Sequence, residues 1–234
     1  INVYYTAAYY YELPKGKTKE DYGLTGNVPY SYSVFKNDIE KMLVAYFGRD
    51  NVIRKNKCIH IQENTYRTEI DVVPTWEHRR FVGEDNDPCK YHKGVVLWAD
   101  NGEKVINYPR QHKNNGIIKN TNTQKRYKRL VRILKNVNIK MSDSGFYKNS
   151  NITSFLIECL MYNYPNNALA TSIYDWNSIL QDVIRYFWNK TREDCYDWYQ
   201  FLENSELLYL MIKHKWDRSD VHEFMTKLWI FLEY

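Results

Sequence analysis

Glycine and proline are scarce, 9 and 6 of 234 residues. That excludes a collagen-like chain and argues against a loop-rich or disordered one. No apolar run approaches the ~20 residues that a bilayer-spanning helix needs, and the start of the chain shows no secretory leader. No membrane partner is therefore expected. The four cysteines, Cys58, Cys89, Cys159 and Cys195, form no Cys-x-x-Cys pair. Cys89 and His92 have a Cys-x-x-His spacing with His78 upstream. A structural zinc needs about four such ligands, and no clean second pair appears. Free thiols in a reducing cytoplasm are the expectation. Asn151-Ile152-Thr153 and Asn189-Lys190-Thr191 match the glycosylation acceptor pattern; with no leader visible, both read as chance matches. Acidic residues are missing from Lys104 to Lys140, a stretch holding eleven lysines and arginines. So concentrated a basic zone points to an anionic ligand, nucleotide phosphate or nucleic acid.

Aromatics are plentiful, with 22 Tyr and 7 Trp, and the chain is long enough for one large domain or two small ones. Strand patterns dominate the first part: residues 1–12, Asn51 to Lys55, Lys57 to Gln62, Thr65 to Pro74, Phe81-Val82, Gly94 to Trp98 and Lys104 to Tyr108. Lys57 to Gln62 and Thr65 to Pro74 read as an antiparallel hairpin, and Pro14 to Pro29 as a loop. One helix interrupts the strands, from about Ser33 to Phe47, with Phe35, Ile39, Met42, Leu43 and Tyr46 as its apolar stripe and Gly48 as its stop. Arg110 to Thr123 reads as polar loop after Pro109. Helical patterns follow over Gln124 to Asn136, Thr153 to Asn163, Ser172 to Trp188, Glu193 to Leu202 and Ser219 to Tyr234, with Met141 to Ser150 as a loop. The expected fold is α+β, a sheet lobe over 1–110 followed by a helical lobe over 111–234, with a ligand cleft at their junction.

Within Arg67-Thr68-Glu69-Ile70-Asp71-Val72-Val73-Pro74, alternation sets Glu69, Asp71 and Val73 on one face and Ile70 and Val72 on the other. Strands deplete Asp, so Asp71 is either an exposed acid on an edge strand or a metal-binding carboxylate on a cleft floor. The helix at 124–136 buries Tyr127, Leu130, Val131 and Leu134. It gathers Lys125, Lys128, Arg129, Arg132 and Lys135 on the other side. Like charges so close repel; a solvated face and an anion-binding face are the two readings.

Taken together, Thr68 to Pro74 (TEIDVVP), Asn107 to Asn120 (NYPRQHKNNGIIKN), Arg126 to Lys135 (RYKRLVRILK), Thr153 to Asn163 (TSFLIECLMYN) and Lys215-Trp216 resemble the bacterial nucleotidyltransferases related to oligoadenylate synthetase and cyclic GMP-AMP synthase. These belong to the DNA polymerase β-like superfamily. The resemblance implies a polymerase β-like nucleotidyltransferase sheet lobe with a basic inter-lobe helix over 124–136. It implies synthesis of a cyclic or linear oligonucleotide second messenger from ATP, GTP or other NTPs with Mg²⁺ or Mn²⁺, in anti-phage defence. Asp71 takes the place of the third metal-binding carboxylate. Lys128, Arg132 and Lys125 fall at triphosphate-contacting positions, Ser154 at the hydroxyl that touches the donor triphosphate, and Phe155 at the aromatic that stacks on the base. On residues alone, Ser154 has helix capping as its alternative reading and Phe155 has core packing. His112 carries no assigned chemistry.

The family also uses a Gly-Ser loop followed by an acidic-x-acidic pair ahead of Asp71, and the 234 residues hold no such motif. Ile1 to Tyr5 resembles the segment that follows it. The chain is thus expected to begin just after the missing pair and to be inactive as it stands. The alternative is a non-catalytic nucleotide- or nucleic-acid-binding module of the same fold. An RNA-modifying nucleotidyltransferase and a regulatory protein partner also stay open.

Overall fold

A computed structural model describes residues 1–25, 30–83, 87, 89–171, 175–211 and 216–234. Two units result, Ile1–Pro109 and Arg110–Tyr234. In the first, strands β1 (Asn2–Glu12), β2 (Val52–Arg54), β3 (Ile59–Ile61), β4 (Ile70–Phe81), β5 (Tyr91–Trp98) and β6 (Lys104–Asn107) accompany helix α1 (Tyr32–Phe47). The sheet runs β2-β3-β4-β5-β6 with every neighbour antiparallel, and β1 pairs parallel with β4. Among the described residues, 24, 25 and 30 of the expected Pro14–Pro29 region and its flank bound a segment, 26–29, that lies outside the description.

The expected hairpin exists, but its second strand is displaced. Arg67 to Glu69 precede the strand, which begins at Ile70 and runs through Pro74 to Phe81, absorbing the separate strand expected at Phe81. A proline inside a strand is tolerated when its missing N–H falls where no partner waits. Val73 N–H bonds Ile1 O at 2.8 Å, so odd positions face β1. Pro74 turns the other way, ahead of the β5 pairing that starts at Trp76.

Helix α1 starts at Ser31, whose side chain accepts from Val34 N–H, and stops at Gly48, which takes φ +82° and bonds Val44 O. Its buried positions are Tyr32, Phe35 and Lys36; Met42 and Tyr46, expected on the stripe, are exposed. Lys36 goes in because its charge is matched: Nζ reaches Asn56 O at 2.8 Å and Asp100 Oδ1 at 2.9 Å. Arg54 and Lys36 together hold the Asp100 carboxyl down to about 2. Against this helix the sheet presents Trp76, Val96 and Trp98, with Tyr5 stacked on Trp76 at 4.6 Å and Tyr32 of the helix 5.3 Å from the Trp98 ring.

The second unit holds α2 (Pro109–Asn122), α3 (Arg126–Asp143), α4 (Ser154–Tyr162), α5 (Asn166–Thr171), α6 (Trp176–Lys190) and α7 (Arg218–Phe231). The loop expected over Arg110 to Thr123 is helix α2. Pro109 opens it rather than stopping a strand, as proline does at a first helical position. It has no apolar stripe; its inward groups are polar. Lys119 Nζ bonds Tyr164 O at 2.7 Å and Asn166 Oδ1 at 2.6 Å, and Asn115 Nδ2 bonds Asn204 O at 2.8 Å. Helix α3 extends past Asn136 to Asp143, because Val137 and Met141 continue the buried row of Tyr127, Leu130, Val131 and Leu134. The helix expected over Glu193 to Leu202 is absent from that span. Only a 3-10 turn at Asp197–Gln200 forms there, and Arg192 pairs with Asp194 and Lys190 with Asp197. Asp217 caps α7, accepting from Ser219 N–H. Of the expected Ser172–Trp188 helix, residues 172–174 lie outside the description, as does Lys215.

Gly94 sits opposite His78 on β4 and lies under the Tyr108 ring. A Cβ there would meet Asn107 O at 2.8 Å and the Tyr108 ring at 2.9 Å. Gly94→Ala is expected to destabilise the protein by about 1–3 kcal/mol, measured as a lowered denaturant midpoint with unchanged slope.

Candidate active site

Odd-numbered residues of β4 face away from α1 and its aromatic core. Asp71, Thr75, Cys58, Leu97, Asn2 and Asn107 help line an open cavity of about 370 Å³ on that face. Asp71 pairs across the ladder with His60 of β3. At Asp71 the ladder pairs β4 with β3, and β1 joins the other edge from Val73 onward, so the exposed-acid reading of Asp71 stays open beside the metal-ligand one. The carboxylate is accessible, with a side chain 55% exposed. His60 Nδ1 lies 2.8 Å from Oδ1 and Lys55 Nζ 3.7 Å from it. The His60 hydrogen bond, with help from the Cys58 thiol and Lys55, holds the Asp71 carboxyl below its usual range. Burial, and then Asp71 itself, push the Cys58 thiol up.

A second carboxylate, Glu77, shares that face of β4, but it is buried and spoken for. Burial alone would raise its carboxyl; hydrogen bonds from Lys93, Arg79 and Tyr4 reverse this and hold it low. Lys93 Nζ stands 2.7 Å from Oε2, Arg79 Nε 2.6 Å from Oε1 and Tyr4 OH 3.0 Å from Oε2. Asp71 has the hard, anionic oxygens that a divalent cation takes. It offers one ligand: among the described residues no three His, Cys, Asp or Glu side chains lie together to hold an ion. A two-ion site needs more carboxylates than this cavity brings together. His60, Cys58 and Glu77 were not singled out from sequence. The alternation of Lys57 to Gln62, with Ile59 and Ile61 buried, carried the signal for His60, and the step of two from Asp71 carried it for Glu77.

In the second unit, Lys128, Arg129 and Arg132 are exposed on α3 with no ion-pair partner among the described residues. Lys125, also exposed, is the residue before α3 and takes a left-handed φ of +64°. Lys135 differs, since its Nζ bonds Glu158 Oε2 at 2.9 Å. His112 Nε2 meets the other oxygen of Glu158 at 3.2 Å. The His112 bond, backed by Lys135, brings the Glu158 carboxyl down to about 2 against the pull of burial. Thr153, not Ser154, caps α4, accepting from Leu156 N–H at 3.1 Å. Ser154 is the exposed first residue of that helix. Phe155 is half-buried and stacks with His112 at 5.3 Å and Trp216 at 5.6 Å. The structure thus gives His112 a bracing place. It groups His112, Phe155, Glu158 and Lys135, while Lys128 and Arg132 project from α3 unpaired.

A mostly antiparallel sheet unit followed by a helical unit is the α+β architecture of a nucleotidyltransferase of the polymerase β-like kind. A family model for the cGAS/DncV-like nucleotidyltransferase C-terminal helical domain matches residues 114–233, and the chain belongs to the cGAS/DncV-like nucleotidyltransferases. It is 46% identical over its whole length to a cyclic dipyrimidine nucleotide synthase of Cecembia lonarensis, covering 77% of that protein. It is 40% identical over 65% of its length to the cyclic GMP-AMP synthase CdnE03 of Staphylococcus schleiferi, covering 47% of that one. The CdnE cyclic dinucleotide synthase of Elizabethkingia meningoseptica, solved with GTP and Apcpp, superposes with a TM-score of 0.77 at 32% identity, over 88% of this chain and 72% of that one. Among the described residues no helix is long and apolar enough to cross a membrane, and all four cysteines are thiols outside any disulfide.

The Glu158 pair makes a pH prediction. A carboxyl lowered from 4.5 to about 2 by folding contributes stability that is complete above about pH 4.5 and is lost as pH falls through about 2. Glu158→Gln is expected to cost ~1–2 kcal/mol at neutral pH. Denaturant titrations between pH 2 and 7 should show that gap closing as the pH drops.

Proposed function

We propose that this protein joins two nucleoside triphosphates into a cyclic dinucleotide, a cytoplasmic second messenger of anti-phage signalling. The observation that carries the reading is Asp71, kept ionised and open to a cavity on the face of the sheet that α1 leaves bare. A ribose 3′-hydroxyl attacks the α-phosphate of a second nucleotide, a phosphodiester forms and pyrophosphate departs; a second round closes the ring. Mg²⁺, or Mn²⁺, would supply charge neutralisation at the phosphates, with Asp71 as one ligand.

The exposed cations Lys128, Arg132 and Lys125 suit the triphosphate. Ser154, freed from capping by Thr153, has a hydroxyl to offer a phosphate oxygen. Phe155 suits base stacking by extending the stack that it makes with His112 and Trp216. The 46% identity to a dipyrimidine synthase supports a product containing pyrimidine. Nothing in the cavity favours a nucleic-acid ligand over a nucleotide.

The test is product analysis of the full-length protein with each labelled NTP and Mg²⁺. Phosphatase- and exonuclease-resistant cyclic dinucleotide is expected, with label entering from UTP or CTP. Asp71→Asn is expected to reduce turnover at least about a hundredfold. Lys128→Ala with Arg132→Ala should raise KM for NTP about tenfold or more. NTP binding without turnover in the full-length protein would replace this reading with that of a binding module.

A further inference from the structure

On the reading of Phe155 as the residue that stacks on the substrate's base, we propose that Glu158 and His112 are positioning residues. Glu158 grips the His112 imidazole at Nε2, and the imidazole holds the Phe155 ring at the angle at which a base meets it.

Three helices of the second unit supply the parts. Phe155 and Glu158 stand three residues apart on α4, so they share one side of it. Both reach the same residue of α2. The His112 ring lies 5.3 Å from the Phe155 ring with 28° between their planes, and His112 Nε2 lies 3.2 Å from Glu158 Oε1. Helix α3 adds Lys135, whose Nζ is 2.9 Å from Glu158 Oε2. Each carboxylate oxygen therefore has a partner on a different helix. Glu158 is also rooted in a firm part of the fold, because Ile157, Cys159 and Leu160 around it on α4 are buried.

Direction follows from the chemistry. Glu158 stays ionised, its carboxyl held at about 2 by the His112 bond, with Lys135 behind it, against the pull of burial. A carboxylate only accepts hydrogen bonds, so His112 Nε2 carries the proton at that contact. With its edge tied to Glu158 and its face against Phe155, the imidazole has one plane to lie in. A phenyl ring has no polar handle of its own, so its neighbours set its angle. Trp216 supplies the second of them, 5.6 Å from Phe155 at 18°. Filling space does not call for charges here. Apolar side chains of like size would serve packing as well, since a partly buried ion pair returns little beyond its desolvation cost. What the carboxylate adds is direction. A ring held in place beforehand takes up its ligand without the further entropy cost of being ordered.

The experiment uses the full-length protein. Calorimetry reads its affinity for α,β-methylene-UTP, which is not turned over, and for inorganic tripolyphosphate, which has no base; KM and kcat for UTP are measured alongside. Glu158→Ala and His112→Ala are each expected to weaken the nucleotide about fivefold or more, with tripolyphosphate affinity and kcat within about threefold of wild type. Glu158→Gln keeps an oxygen that accepts from Nε2–H, and should return nucleotide affinity to within about threefold of wild type although it lowers stability. Phe155→Leu reports on the underlying reading. If Phe155→Leu weakens the nucleotide while both alanine variants bind it as wild type does, the positioning role falls and the assignment of Phe155 stands. If Phe155→Leu binds the nucleotide normally, the assignment of Phe155 falls and the proposal with it. Alanine variants that lose nucleotide and tripolyphosphate equally, with a lowered Tm and no rescue by Glu158→Gln, would show that the pair only supports the fold, and would overturn the proposal.

Discussion

Backbone hydrogen bonding to one strand governs the first unit. β4 pairs with β1, β3 and β5, and no other described strand joins so many. An inner strand has both rows of backbone groups satisfied, so its side chains are held at a fixed pitch, alternately on either face. One face of β4 sends Trp76 into the aromatic core beneath α1. The other sends out Asp71, Val73, Thr75 and Glu77. Any chemistry that the sheet performs has to be mounted on that second row, and its geometry follows from the ladder.

Asp71 and Glu77 show how burial sorts two carboxylates on one strand face. Glu77 lies in the middle of the sheet, where an unpaired charge would be costly, and three donors close on it. It is finished with as a chemical group. Asp71 lies at the beginning of the strand, beside the short β3, where water still reaches it. The same rule recurs away from the cavity. Lys36 and Lys119 are buried with their ammonium groups bonded to carbonyls or a carboxylate. Burial lowers Lys119 to about 8. The cations of α3 that have no such partners all stand in water.

How much of this was legible in the sequence depends on which force built each element. Helices α3, α4, α6 and α7 are held by apolar stripes, and their periodicity reads directly. Helix α2 is held by Asn115 and Lys119 reaching polar groups elsewhere in its unit, so no stripe marks it and its asparagines imitate a loop. Around Glu193 to Leu202 the reverse applies: a helix is expected, and the structure has only a 3-10 turn at Asp197–Gln200, with Arg192 paired to Asp194 and Lys190 to Asp197. At the site, Asp71, Lys128 and Arg132 could be picked out by residue type and spacing. His60 was not, although its hairpin was expected, because its place opposite Asp71 depends on the exact register of the two strands. Phe155 was open between stacking and packing, and its two ring neighbours come from parts of the unit that local pattern does not join.

The parallel pairing of β1 with β4 has a consequence for how the protein is made. Val3 has Pro74 as its ladder partner. At the ~5–20 residues per second of translation, β1 leaves the ribosome several seconds before the strand that it needs. For that interval a tyrosine-rich segment of high strand propensity has an unsatisfied edge, the condition under which strands pair with the wrong chain. Closure of so long a loop also makes this the most entropically demanding pairing in the sheet. The sheet is completed only when β4 arrives, so the yield of folded protein is sensitive to how fast residues 13 to 70 are synthesised and to what shields β1 in the meantime.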